Sequence, residues 1–122
     1  MGDFTQLKVW IKAHELTIRV YKLTAKLPKN ELFGLVSQLR RAAVSTESLV
    51  AEGESRYTTP DKIKFFIDAR ASAAECETQL LLVKDIYREH QEEASNLRNE
   101  YNTLGKQLNS LITFRRNNDK KT

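Results

Sequence analysis

Two histidines, one cysteine and several rows of evenly spaced charge are the residues of this 122-residue chain that could do chemistry. His14-Glu15 opens like the zinc-binding pattern in which a second histidine follows the first by four residues on one helix face. Ile18 stands at that position, so no metal pair forms. Di-iron bundles repeat Glu-x-x-His, and neither His14 nor His90 has a glutamate three residues before it. Cys76 falls on an apolar helical face, where a small structural hydrophobe is the usual role and a nucleophile would need a histidine beside it. Neither a phosphate-binding glycine loop nor a dinucleotide-binding glycine motif occurs. The expectation is a protein that is not an enzyme and has no metal or cofactor.

The charged rows point elsewhere. In "LRRAAVSTESLVAEGESR", residues 39–56, an apolar stripe (Leu39, Ala42, Ala43, Thr46, Leu49, Val50, Gly53) is flanked by Arg40, Arg41 and Glu52. Further on, Arg70, Glu77 and Lys84 project at seven-residue spacing into an apolar arc built on Ile63, Phe66, Ile67, Ala73, Ala74, Leu80 and Leu81. A charge inside such an arc must be paired, because an unpaired buried ion costs several kcal/mol. Guanidinium groups pair with carboxylates through two parallel hydrogen bonds. Arg40, Arg41 and Glu52 are therefore expected to fasten the second helix to the third, with Glu77 buried and bonded to Arg40 or Arg41. A catalytic carboxylate is the alternative, but no second convergent acid accompanies it.

A third row is basic throughout. Lys8, Lys12, Arg19, Lys22 and Lys26 form one line on the first helix, interrupted only by Glu15. With Arg98, Lys106, Arg115 and Arg116 they are the candidate contacts to nucleic-acid phosphates. No recognition-helix motif is present, so such contacts would read backbone rather than base sequence. Charge placement agrees: residues 1–29 hold six Lys/Arg and two acids, residues 30–92 eight and eleven, and residues 93–122 six and three. The alternative is a protein-binding scaffold whose basic faces keep it in solution.

The elements that must position these residues are helices. Four glycines and two prolines are few for a chain rich in turns, and no stretch alternates like a strand. The pattern predicts an all-α, up-down four-helix bundle over residues 1–116, with a polar tail at 117–122. The first helix should run from Thr5 to Leu27 and stop at Pro28. Asn30 should cap a second helix ending near Glu52, with Gly53 as a left-handed cap residue. Thr59 should cap a third, with Pro60 and Asp61 in its first turn, extending to about Arg88. The fourth should cover Glu92 to Phe114. The longest apolar run, Leu80 to Val83, is far short of a membrane span. The start of the chain has no secretory pattern and the single cysteine forms no internal disulfide, so a cytoplasmic location and no membrane partner are expected.

The first helix has two apolar stripes. Val9, Ala13, Leu16, Val20, Leu23 and Leu27 form one, and Leu7, Ile11, His14, Ile18, Tyr21 and Ala25 form another on nearly the opposite side, with Trp10 between them. An outer helix of a monomeric bundle needs a single stripe. Leu7, Trp10, Ile11, His14, Ile18 and Tyr21 are thus expected in a subunit interface of a homo-oligomer.

The stretches "LKVWIKAHELTIRVYKLTAKLP", "FGLVSQLRRAAVS", "AEG" and "ECETQLLLVKDI" resemble the four-helix bundle proteins encoded in intervening sequences of bacterial large-subunit ribosomal RNA genes. The resemblance spans about Phe4 to Ile86. It implies a short up-down bundle that assembles, as known relatives do, into a barrel-like homopentamer. A related branch comprises accessory variability determinants of diversity-generating retroelements, which bind nucleic acid and partner a reverse transcriptase. By that likeness the implied partners are RNA or DNA and a reverse transcriptase or RNA-processing protein. The chain departs from the family pattern at Thr46-Glu47-Ser48-Leu49-Val50, where a proline is usual and its loss should leave the second helix straighter. "YREHQEE" also replaces the usual Gly-Tyr-Ile-type turn.

Overall fold

The computed structural model describes residues 3–119. Among them are four α-helices and no strand: α1 (Lys8–Thr24), α2 (Ser37–Glu54), α3 (Thr59–Ile86) and α4 (Gln91–Asp119). α1 packs on α2 and α4, and α3 packs on the same two, so α1 and α3 stand diagonally across the bundle. The core runs continuously from Val9 to Ile112, with Leu23, Leu39, Phe66, Leu80, Leu97 and Tyr101 fully buried.

α1 begins later than its periodicity predicts. Asp3 accepts hydrogen bonds from the Thr5 amide (3.0 Å) and hydroxyl (2.7 Å), closing a single 3₁₀ turn over Phe4–Gln6, and Leu7 is extended before α1 starts. Those bonds to Thr5 hold the Asp3 carboxyl below its ordinary pKa. At the other end Pro28 has no amide hydrogen to continue the ladder, and residues 25–27 close the last turn. Thr17 and Thr24 bond back to the carbonyls of Ala13 and Val20, and the Thr17 hydroxyl also reaches the Ala43 carbonyl at 3.3 Å. These buried hydroxyls are satisfied on their own helix and let α1 and α2 approach closely.

The entry to α2 differs from the expected cap. Asn30 lies inside a short 3₁₀ turn, Lys29–Glu31, and a wide turn over Leu32–Val36 follows, with Gly34 outside helical geometry at φ −112°, ψ −110°. Glu31 does the capping. One of its oxygens accepts from the Leu35 amide at 3.5 Å and the other from the Tyr87 hydroxyl, tying this turn to the end of α3. The carboxylate acceptor favours the protonated phenol and raises the Tyr87 pKa.

Gly53 is a helical residue within α2, not a left-handed cap. A Cβ added there would lie 2.8 Å from Phe66 Cε1 and 3.0 Å from Phe65 Cβ. The missing side chain is thus what lets α2 lie against α3, and the helix continues one residue further to Glu54. Thr58 rather than Thr59 caps α3, its hydroxyl accepting from the Asp61 amide at 3.3 Å. α4 continues through the first three residues of the expected tail, 117–119, and residues 120–122 lie outside the described residues.

One layer of the core is polar. Thr46, Cys76 and Tyr101 are fully buried and come from α2, α3 and α4. The Thr46 hydroxyl and Cys76 sulfur are 4.0 Å apart, while the Tyr101 hydroxyl faces Cys76 and Thr17 without a hydrogen bond of good geometry. Burial pushes the Cys76 thiol up to about 12, so the sulfur is a neutral packing group and not a nucleophile at neutral pH.

Candidate interaction surface

Of the charges that sequence spacing singles out, Arg40, Arg70 and Glu77 do fasten helices, but in other pairings. Glu77 is bonded to Arg98 Nε at 3.0 Å and Asn102 Nδ2 at 3.3 Å, both on α4, and not to Arg40 or Arg41. Arg70, expected inside the arc, is exposed and donates to Asn109 Oδ1. α3 packs against two neighbours at once, and the row Arg70, Glu77, Lys84 runs along its α4 side. Periodicity located the row without saying which neighbour it meets.

Arg40 joins α2 to α1 instead of α3. Its Nε donates to the Thr24 hydroxyl at 2.8 Å and its guanidinium lies 4.5 Å over the Tyr21 ring. Arg41 and Glu52 are exposed and form no helix-to-helix bond among the described residues. The carboxylate that does so is Glu54. Arg115 Nη2 donates to its Oε2 at 3.1 Å, while Nη1 stands 2.9 Å from Oε1 as an ion-pair contact short of hydrogen-bond geometry. Lys62 Nζ donates to the Glu54 carbonyl at 2.6 Å and lies 3.9 Å from Oε1. This junction locks the ends of α2 and α4 to the start of α3. Its signal was legible: Glu54 follows buried Val50 by four residues, so a helix continued past Gly53 carries it inward.

The nine candidate phosphate contacts are not one surface. Lys12 pairs with Glu100 at 2.7 Å and Lys26 with Glu93 at 3.0 Å, so part of the basic line of α1 faces carboxylates of α4. The Lys12 hydrogen bond is the chief reason Glu100 has a lowered pKa. Arg98 and Arg115 are held by Glu77 and Glu54, and Arg116 sits beside Thr59 and Pro60 at the start of α3. Lys8, Arg19, Lys22 and Lys106 are exposed.

The second stripe of α1 divides in two. Leu7 and Trp10 are half-buried against the core, with Trp10 between Phe4 (edge-on, 5.2 Å) and His14 (stacked, 4.9 Å). His14 Nδ1 lies 2.9 Å from Glu47 Oε2 on α2, a polar partner rather than apolar packing. Ile11, Ile18 and Tyr21 remain 41–45% exposed. Beside Tyr21, the wide turn and α2 form an open groove lined by Leu32, Phe33, Val36, Arg40, Arg41 and Val44, with Phe33 93% exposed. Six of the ten large exposed apolar side chains of the described residues thus lie on α1, the wide turn and α2, while Tyr57, Leu82, Ile86 and Phe114 lie elsewhere.

Among the described residues no cluster of three or more His, Cys, Asp or Glu could hold a metal ion, and no helix is long and apolar enough to cross a membrane. An antiparallel four-helix arrangement, with Lys12, Lys26, Glu54 and Glu77 paired between helices and exposed apolar groups on its α1–α2 side, defines an all-α bundle protein. The profile of the 23S rRNA-intervening sequence protein family matches residues 5–110, and the chain belongs to that family. A protein of unknown function from the S23 ribosomal protein family of Bacteroides thetaiotaomicron has a similar structure. It superposes with a TM-score of 0.75 at 24% identity, over 85% of this chain and 97% of that one. That likeness concerns the fold. Among curated proteins none matches this chain significantly.

Proposed function

We propose that this protein is a non-enzymatic scaffold that acts as a homo-oligomer, assembled through the α1–α2 face. The observation that carries this reading is the exposure of Ile11, Ile18, Tyr21, Phe33 and Val44 on neighbouring elements, in a chain whose core is otherwise closed. Contiguous exposed apolar side chains are the usual mark of an interaction surface. Five copies is the stoichiometry that the family resemblance implies. Replacing Ile11 and Ile18 together with Glu should yield a folded protein of smaller mass by light scattering, because both side chains lie outside the core. An unmodified protein that scatters as a monomer would refute the reading, and a dimer would refute the number.

A second reading, contact with nucleic-acid phosphates, is favoured by Lys8, Arg19 and Lys22. They are exposed on α1 and no described carboxylate forms a salt bridge with them. An oligomer would repeat this trio and turn weak contacts into useful affinity. A reverse transcriptase or RNA-processing enzyme would be the protein partner on this reading. Releasing counterions from about three phosphates gives a log–log salt slope of about −2 to −3 per engaged subunit. Reversing Lys8, Arg19 and Lys22 to Glu should abolish that slope for RNA and DNA of any sequence. A slope unchanged by the triple reversal would leave only the scaffold.

A further inference from the structure

The groove beside Tyr21 and the outer edge of α3 are complementary. Arg40 and Arg41 stand at the groove, and among the described residues no carboxylate lines it. Diagonally across the bundle from α1, the exposed edge of α3 is acidic and apolar: Glu75, Leu82, Asp85 and Ile86 share it, with Thr78 between. Every exposed position of α3 after Arg70 lacks a cation; in the following turn Arg88 and Glu89 are both exposed and offset one another, so the negative edge is that of Glu75 and Asp85. Leu82 and Ile86 are 46% and 56% exposed, an apolar pair of the kind that fills a groove lined by Leu32, Phe33 and Val44.

We infer that the groove of one copy receives the Leu82–Ile86 edge of α3 from a second copy of this chain, with Arg41 opposite Asp85 or Glu75. This inference rests on the self-association proposed above and specifies which faces meet. Because the two faces are different patches, the contact is head-to-tail. Such a contact closes into a ring or continues as a filament, and does not stop at a twofold dimer. Like charges placed across an interface oppose association, so reversing either side alone disfavours it. Among the described residues Arg41, Glu75 and Asp85 take part in no ion pair or side-chain hydrogen bond. Reversing them leaves the fold's own attachments in place.

Sedimentation velocity tests it with three samples. Arg41→Glu, which spoils the groove, and the double variant Glu75→Lys/Asp85→Lys, which spoils the edge, should each lose the large species of the unmodified protein. Mixed one to one, they should again form species larger than a dimer by alternating, because the unmodified groove meets the unmodified edge and the Arg41→Glu groove meets the lysine edge. A single chain carrying Arg41→Glu with both lysines should regain the large species. Circular dichroism of each variant confirms that its helices remain. A monomeric unmodified protein would overturn the self-association reading itself. An assembling protein indifferent to both sets of reversals, or variants that stay apart when mixed, would overturn only the head-to-tail pairing.

Discussion

Glu54→Ala should destabilise the bundle by about 3 kcal/mol, because removing one member of a buried ion cluster strands the others. Glu54 is the last residue of α2, where the negative end of the helix dipole disfavours a carboxylate. Only its partners make the position tolerable. Arg115 reaches it from α4 and Lys62 from α3, with side chains 21% and 15% exposed. Both cations lie near enough to the surface to recover some hydration, which places the effect at the lower end for buried pairs. Glu54→Gln keeps the shape and one acceptor and should cost less than Glu54→Ala. Urea unfolding at constant m-value measures both. A loss below about 1 kcal/mol for the alanine variant would reduce the cluster to an ordinary surface contact.

The second large effect belongs to Phe66, which is fully buried beneath Gly53. Phe66→Ala should cost about 3–5 kcal/mol through lost burial and the cavity left behind. The same contact reverses the usual sign of a glycine substitution. Gly→Ala inside a helix ordinarily stabilises by about 1 kcal/mol. At Gly53 the new methyl would press on Phe66, and overpacking of that kind costs about 1–3 kcal/mol. Gly105, with no atom within 4 Å of an added Cβ, is the control where alanine should stabilise. In the Phe66→Ala background the Gly53→Ala penalty should shrink by at least about 1 kcal/mol, since the two residues share one space. Phe65 Cβ remains at 3.0 Å, so relief should be incomplete. Additive effects of the two substitutions would show that the close approach is not what requires glycine.

Much of this architecture is written in the sequence alone. The stripes through Val9–Leu27, Leu39–Val50 and Leu97–Leu108 specify helices and their buried faces, because one residue's place on a helix depends only on its distance along the chain. Pro28, and Pro60 with Asp61, mark real boundaries, because each acts on the backbone within a turn of itself. Nothing comparable is local about partners. Glu77 carries the same spacing whether it meets Arg41 or Arg98, and only the packing of α3 between α2 and α4 chose Arg98. His14 turned toward Glu47, and two of the five cations in the basic line of α1 met the acids of α4, because adjacent helices bring together residues 33 to 88 positions apart. Gly53 shows the limit within a single residue. Its type announces a backbone need, but a left-handed turn and a close crossing both call for glycine. Phe66, thirteen residues away, decided between them by occupying the space a side chain would have filled.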